Sequence, residues 1–147
     1  MIELYTDGAC GKAGDGGWAW VLIEDGVEVL TWESGSEAPS TNQRCELIAC
    51  IKGLEYLKWQ HPDWSVRVVS DSAYLVNCFE QRWYDAWWHN GWRTSSNGEI
   101  KNGDLWLDLL SLWEQYPSEI SWKHVRGHQG DKWNEFCDEL AVKARTS

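Results

Sequence analysis

Four acidic residues from separate parts of the chain have the types and surroundings that suggest chemistry: Asp7, Glu46, Asp71 and Asp138. Each alone has an ordinary structural explanation, such as a turn residue or a residue at a helix N-terminus. Four carboxylates that converge on one edge of a sheet repel one another unless a cation lies among them. Oxygen-only ligands favour hard cations such as Mg²⁺ or Mn²⁺. Two such ions about 3.5–4 Å apart can bind both the attacking and the leaving oxygen when a phosphodiester is cleaved.

The first element that must position these residues is a strand that leads to Asp7. Residues 2–7 alternate between two faces, which predicts a β-strand ending at Asp7. The glycine-rich residues 8–17 then predict a loop that a substrate can approach closely. Residues 18–23 and 27–32 predict two more strands in antiparallel succession.

Glu46 falls in a predicted helix. Ser40, with Gln43 three positions later, has the pattern of a capping box at a helix N-terminus. Apolar residues then recur at helical spacing to about residue 59. Glu46 lies beside this apolar stripe, so its carboxylate is expected to border the buried face of the helix.

Asp71 follows a short apolar strand predicted over residues 66–70. A strand that returns to the sheet after a helix is expected to pair in parallel with the first strand. The carboxyl ends of parallel neighbours meet at one edge, which would put Asp7 beside Asp71. An alternative is that Asp71 only caps the helix predicted over residues 73–79.

Asp138 belongs to the last of the predicted elements. Residues 102–104 open a helix, residues 120–125 predict a final strand, and Asp131 is the expected cap of the helix that contains Asp138. Residues 83–94 are unusual because four tryptophans are interleaved with polar groups. Core packing is the default explanation of tryptophan, and a stacking platform for bases is the alternative.

Composition limits the classes of function. The 147 residues suit one domain, residues 1–147, and no apolar run reaches transmembrane length. Five cysteines without a Cys-x-x-Cys pair argue against a disulfide framework and favour a cytoplasmic setting, and Met1 lies directly before the first strand, so no signal peptide is expected. Nothing in the sequence indicates an obligate oligomer, so a monomer is expected, with a weak dimer through exposed tryptophans as the alternative. The net charge of −10 is unfavourable for nucleic-acid binding unless local basic patches or metal ions offset it.

Five motifs resemble ribonuclease H of type 1 in their order and spacing, and the likeness covers nearly the whole chain. They are residues 6–10 (TDGAC), 41–47 (TNQRCEL), 70–72 (SDS), 125–130 (VRGHQG) and 134–141 (NEFCDELA). The resemblance implies an α/β ribonuclease H-like fold. Its sheet would have five strands in mixed orientation, the first three antiparallel, with helices on both faces.

The resemblance also implies the activity. It implies a metal-dependent endonuclease that hydrolyses the RNA strand of RNA–DNA hybrids and leaves 5′-phosphate and 3′-hydroxyl ends. Asp7, Glu46, Asp71 and Asp138 would form the metal-binding catalytic set for two Mg²⁺ ions, with Mn²⁺ as a substitute. One ion would activate the attacking water and the other would stabilise the leaving 3′ oxygen. His128 matches a mobile-loop histidine that assists proton transfer or product release.

A hybrid-binding set follows from the same resemblance, because selection of RNA requires contacts to 2′-hydroxyls in the wide minor groove. The expected substrate-binding residues are Cys10, Lys12, Thr41, Asn42, Gln43, Trp83, Trp87 and Trp92. Lys12 stands in a shortened loop, where a phosphate contact would replace that of a missing asparagine. Ala73 stands where a glutamine often reads the groove, so that hydrogen bond is lost.

The largest departure from the family pattern is residues 80–101, called here the aromatic segment. In many members it is a basic protrusion that grips the hybrid. Here its charges sum to zero, since three basic residues are balanced by three acidic ones: Arg82, Arg93 and Lys101 against Glu80, Asp85 and Glu99. Weaker hybrid affinity and a shallower salt dependence are therefore expected.

Proteins with other functions share part of this sequence pattern. Integrases, transposases and junction resolvases share the architecture and the acidic site, but generally lack the glycine-flanked histidine loop combined with a tryptophan-rich protrusion. A hybrid-binding module without catalysis and a fragment of a reverse transcriptase are further alternatives. His124 and His128 have the spacing of some zinc ligands, but no cysteine pair accompanies them.

Overall fold

The computed structural model describes residues 1–127 and 129–145, and its framework is a single sheet. The strands are β1 (Ile2–Cys10), β2 (Gly16–Glu24), β3 (Glu28–Glu37), β4 (Val66–Ser70) and β5 (Ile120–His124). They lie in the order β3-β2-β1-β4-β5. The first three strands pair antiparallel, while β1, β4 and β5 are parallel, which confirms the predicted five-stranded mixed sheet.

Helices cover both faces of the sheet, as predicted. They are α1 (Asn42–Gln60), α2 (Ala73–Glu80), α3 (Trp83–His89), α4 (Gly103–Gln115) and α5 (Lys132–Arg145). Leu4, Trp20 and Leu22 face the larger core with α1, whereas Tyr5 and Val21 face a smaller core with α5. None of the helices within residues 1–127 and 129–145 has the length and hydropathy of a membrane-spanning segment.

The prediction that residues 8–17 form a loop was wrong at both ends. β1 continues past Asp7 to Cys10, and β2 already begins at Gly16. The glycines are there because helices approach closely. A β-carbon on Gly8 would lie 2.5 Å from the backbone nitrogen of Glu46, and one on Gly17 would lie 2.1 Å from the carbonyl oxygen of Ala141. A pattern typical of a flexible loop therefore marks the points where α1 and α5 contact the strands.

The start of α1 also differs from the prediction. The helix is capped by Thr41, whose Oγ1 accepts a hydrogen bond from the amide of Arg44 at 3.1 Å. Ser40 instead donates its hydroxyl hydrogen to Glu37 at 2.7 Å, because β3 extends to Glu37 and brings that carboxylate to it. The cap therefore lies one residue later than predicted, and Arg44 three residues after it does not form a capping box.

The second half of the chain agrees more closely with the prediction. α4 begins at Gly103, and Asp131 accepts a hydrogen bond from the amide of Asn134 at 3.0 Å at the start of α5, as expected of a cap. The last strand ends at His124, one residue early. The short helix α3 was not predicted, although its aromatic residues Trp83, Tyr84, Trp87 and Trp88 recur at helical spacing.

Candidate active site

The first acidic residue of the site is buried in the middle of the sheet. Asp7 lies in β1, is only 2% exposed, and pairs across the ladder with Ala19. Its Oδ1 accepts a hydrogen bond from the amide of Gly8 at 2.9 Å. Its Oδ2 is buried without any hydrogen-bond partner, which is costly for a polar atom and therefore points to a missing ligand.

The second carboxylate comes from α1. Glu46 is 9% exposed, and its Oε2 is also buried without a partner. The absence of a side chain at Gly8 lets the backbone of α1 approach β1 at this point. Gly8 therefore allows the carboxylate of Glu46 on α1 to lie beside the carboxylate of Asp7 on β1.

Asp71 completes a tight group. It directly follows β4, the parallel neighbour of β1. One carboxylate oxygen from each of Asp7, Glu46 and Asp71 lies within 4.8 Å of the others, and among residues 1–127 and 129–145 no other acidic, histidine or cysteine group is arranged to share a metal ion. The alternative role of Asp71 as a helix cap is wrong, because Ser72 caps α2 by accepting a hydrogen bond from the amide of Leu75 at 3.1 Å.

Asp138 lies near this group without belonging to its tight part. It is half-buried on α5, which packs on the opposite face of the sheet from α1. It is not among the three residues whose oxygens lie within 4.8 Å, yet its charge helps to raise the pKa of Asp7. We call the four residues together the acidic edge.

Electrostatics at the acidic edge oppose ionisation. Burial first, and then the charges of Asp71 and Asp138, raise the pKa of Asp7 to about 8. Burial and the charges of Asp7 and Asp71 raise the pKa of Glu46 well above its ordinary value. Protons offset the repulsion in the free protein, and a cation could replace them.

The donor set fits a hard divalent ion. All ligating atoms are carboxylate oxygens, and two of them, on Asp7 and Glu46, are buried without partners. Mg²⁺ and Mn²⁺ prefer such oxygen ligands. The chemistry of the residues therefore agrees with the predicted metal site, although it does not identify the metal.

His128 was also expected at this edge. It lies outside the described residues, so its role in proton transfer or product release stays a prediction, and the zinc alternative with His124, which the lack of a cysteine pair disfavours, is not tested either. His124 itself ends β5, next to β4, and its Nε2 lies 3.2 Å from the backbone carbonyl oxygen of Asp71. A hydrogen bond to a carbonyl requires that this nitrogen carries the hydrogen.

Five of the predicted substrate-binding residues lie around the junction of β1 and α1. The amide of Cys10 donates a hydrogen bond to Oδ1 of Asn42 at 2.8 Å, which leaves the amide hydrogens of Asn42 free to donate to a ligand. Thr41 and Lys12 are exposed, and Gln43 is half-buried. These residues lie within five positions of Asp7 or Glu46 in the sequence, and their contacts to a nucleic-acid strand stay a prediction.

The predicted stacking tryptophans are largely engaged with one another. Trp83, Trp87 and Trp92 are half-buried and pack against the larger core. The ring centroid of Trp87 lies 6.4 Å from that of Trp83, 5.6 Å from that of Trp92 and 5.7 Å from that of buried Trp106. Trp88, which was not selected from the sequence, is more exposed, at 44%.

Two further residues beside the site were not assigned roles from the sequence. Arg44 forms a pair of 3.1 Å hydrogen bonds with Asp104 and a 3.4 Å contact with Glu37, and so ties the start of α1 to α4 and β3. Asn134 is 2% exposed, one turn before Asp138, and its Nδ2 has no partner. Spacing in a single sequence does not indicate the contacts of Arg44 or the burial of Asn134, because both depend on how distant elements pack.

Comparison with known proteins gives consistent matches over the whole length. The model of the family described as RNase H matches residues 1–146. A protein named ribonuclease H from Syntrophomonas wolfei is 43% identical over 146 residues, covering 97% of this chain and 94% of the relative.

Two solved structures show the same fold. LC9-RNase H1, a type 1 RNase H with the type 2 active-site motif, has a TM-score of 0.84 and 28% identity, covering 99% of this chain and 72% of that one. LC11-RNase H1 in complex with an RNA/DNA hybrid has a TM-score of 0.77 and 20% identity, covering 99% and 97% of the two chains.

Proposed function

The chain belongs to the ribonuclease H family and is an endoribonuclease, and from this premise we propose that it hydrolyses the RNA strand of RNA–DNA hybrids with the help of two divalent metal ions. The products would be 5′-phosphate and 3′-hydroxyl ends. We further propose that it acts as a monomer in the cytoplasm, which the five free thiols support.

One observation carries the proposal. Carboxylate oxygens from β1, α1 and the end of β4 lie within 4.8 Å of one another, and two of the carboxylates have a buried oxygen without a partner. Such a group opposes folding unless a ligand compensates it, so its presence is best explained by function. Asp7, Glu46 and Asp71 would hold Mg²⁺ or Mn²⁺, with Asp138 contributing from α5.

The ions, when bound, would supply a water with a lowered pKa as nucleophile and would stabilise negative charge on the leaving 3′ oxygen. The protein holds its carboxylates in place before binding. Asp7 is held by the ladder to β2 and by the amide of Gly8, while Glu46 is held by the packing of α1 on β1. Rigid elements therefore fix the ligands, which favours catalysis because reorganisation is avoided. His128 would move a proton at the leaving group.

Selection of the RNA strand would occur at the junction of β1 and α1. Asn42 is oriented by the amide of Cys10, so its own amide hydrogens can be donated to a base edge or a 2′-hydroxyl. Thr41 and Lys12 are exposed next to it. An RNA/DNA hybrid is also the ligand that LC11-RNase H1 holds, so the shared fold accommodates such a duplex.

The test is cleavage of four end-labelled duplexes of one sequence: RNA–DNA hybrid, RNA duplex, DNA duplex, and a hybrid whose RNA strand carries 2′-O-methyl groups. We expect cutting of the RNA strand of the first duplex alone, and at each cut one fragment should carry a 5′-phosphate and the other a 3′-hydroxyl, so that a ligase can rejoin them. Cutting of the DNA duplex would favour the integrase and resolvase alternative. Tight hybrid binding without cutting would favour a binding module.

A further inference from the structure

Two cysteines approach each other on the α1 side of the sheet, beside the acidic edge. Cys10 is half-buried at the end of β1, and its Sγ donates a hydrogen bond to the carbonyl oxygen of Ser40 at 3.3 Å. Cys45 is fully buried in α1, and its Sγ lies 3.4 Å from the hydroxyl oxygen of Ser40. Both thiols therefore contact the same residue.

The strand register places the sulfur of Cys45 opposite Cys10. Cys10 pairs with Gly16 across the antiparallel ladder, and a β-carbon on Gly16 would lie 2.6 Å from the Sγ of Cys45. Facing β-carbons in such a ladder are about 4.5–5.5 Å apart. The sulfur of Cys45 thus lies on the side of the ladder where the residue paired with Cys10 would carry its side chain, and the start of α1 must move relative to β1 for the two sulfurs to reach the disulfide distance of about 2.05 Å.

We propose that Cys10 and Cys45 form a dithiol that hydrogen peroxide oxidises to an intramolecular disulfide, and that this modification inactivates the enzyme. Cys10 reacts first because it is the more accessible. Its thiolate attacks one peroxide oxygen, the O–O bond breaks, and Cys10 becomes a sulfenic acid while the departing hydroxide takes up a proton. The sulfur of Cys45 then attacks the sulfur of Cys10, the S–O bond breaks, and a second water leaves. The two thiols together lose two electrons and two protons, and one peroxide becomes two waters.

The disulfide inactivates because both thiols adjoin groups that the proposed function needs, and this half of the inference rests on that function. Cys45 directly precedes Glu46, and the amide of Cys10 holds Asn42. A β-carbon on Gly8 would lie 2.6 Å from the β-carbon of Cys45, so α1 already lies close against β1. Closing the disulfide must therefore tilt or slide the start of α1, which moves Glu46 relative to Asp7.

The experiment treats the reduced protein with hydrogen peroxide and follows two readouts. Mass spectrometry without reduction should show a loss of two hydrogens and a peptide pair that links Cys10 to Cys45. The rate of hybrid cleavage should fall at least about tenfold, because a misplacement of about 1 Å can cost more than that, and dithiothreitol should restore it. The mass readout needs no nuclease activity, so a protein that forms the disulfide but never cuts hybrid contradicts the proposed function instead.

Variants separate the pair from other thiols. Cys45→Ala, or Cys45→Ser if the alanine variant does not fold, should keep its own starting activity after the same treatment, as should Cys10→Ala. Cys78→Ala removes a buried cysteine of the larger core and should be inactivated like the unmodified protein. The inference is overturned if both cysteines of the peroxide-treated protein can still be alkylated after unfolding in denaturant, if the disulfide form keeps its full cleavage rate, or if Cys45→Ala loses activity as the unmodified protein does.

Discussion

The acidic edge and the aromatic segment use their side chains in opposite ways. At the acidic edge, buried oxygens of Asp7 and Glu46 have no partners, and burial and repulsion raise the pKa of both residues. In the aromatic segment, Trp87 is in ring contact with its neighbours, and Arg82 forms a 2.9 Å ion pair with Asp85. Buried polar groups that lack hydrogen-bond partners in the free protein indicate a ligand site, whereas groups with partners inside the protein mainly stabilise the fold. This difference favours the proposed chemistry at the acidic edge and predicts that the aromatic segment mainly supports the fold.

The largest effect should come from neutralising single carboxylates. Asp7→Asn, Glu46→Gln and Asp71→Asn should each lower the rate of hybrid cleavage at least about 10³-fold, since each removes a charged ligand of the tight group. Asp138→Asn should cost less, about 10- to 10²-fold, because its carboxylate lies outside that group. Single-turnover cleavage with Mg²⁺ measures this order. Asp108→Asn, on the exposed side of α4, is the matched control, and equal losses for Asp138 and Asp108 would contradict the assignment.

The second prediction concerns the stability that the tryptophans of the aromatic segment provide. Trp87→Ala should lower the free energy of unfolding by about 2–3 kcal/mol, because it leaves a cavity among Trp83, Trp92 and Trp106. Trp88→Ala should cost less than about 1 kcal/mol, since that ring is 44% exposed. Urea unfolding measures both. If Trp87→Ala instead raises KM and leaves the free energy of unfolding unchanged, the ring contacts substrate, and the aromatic segment takes part in binding as well as in supporting the fold.

A third prediction concerns the pH dependence of stability without metal. The pKa of Asp7 is raised from 3.8 to about 8 in the folded protein, so the folded state holds a proton that the unfolded state releases. The stabilisation is fully present below the unfolded pKa and is lost as the pH rises from about 4 through 8. Urea unfolding in EDTA should therefore show a decline in the free energy of unfolding over this range that is smaller in Asp7→Asn by at least about 1 kcal/mol, since each unit of pKa difference corresponds to about 1.4 kcal/mol. Identical pH profiles for the two proteins would show that the carboxyl group is not perturbed.

The smallest expected effect is the salt dependence of hybrid binding. Because residues 80–101 carry no net charge, few phosphates are neutralised there. A variant with Glu80→Lys and Glu99→Lys should steepen the slope of log K against log salt by about 0.9 for each new phosphate contact. Glu28→Lys, at the start of β3, should leave the slope unchanged. A slope that is already steep in the unmodified protein would contradict the expectation.

Much of the site followed from local patterns in the sequence. The sequence predicts that the carboxylates of Asp7 and Asp71 are neighbours, because each follows a strand and parallel strands end at one edge of the sheet. Glu46 was predicted to border the buried face of its helix. The fold class followed from the resemblance of five motifs to ribonuclease H, and the order of the predicted elements is compatible with that topology.

The remainder depended on packing between distant elements. Gly8 and Gly17 were interpreted as loop residues, although they are strand residues that admit α1 and α5. The double hydrogen bond of Arg44 to Asp104 joins residues 60 positions apart, and no spacing rule indicates it. The looser position of Asp138 is also a result of packing, because it depends on how α5 crosses the sheet.

The most direct test of the central claim is the cleavage of a labelled RNA–DNA hybrid over a titration of Mg²⁺, with Mn²⁺ and EDTA in parallel and Asp7→Asn as the reference. The account predicts cutting of the RNA strand that rises with the metal concentration, stops in EDTA, and is lost in Asp7→Asn even though that variant is folded. Cleavage that continues unchanged in EDTA, or hybrid binding with no cleavage under either metal, would contradict the assignment of the acidic edge as a metal-dependent catalytic site.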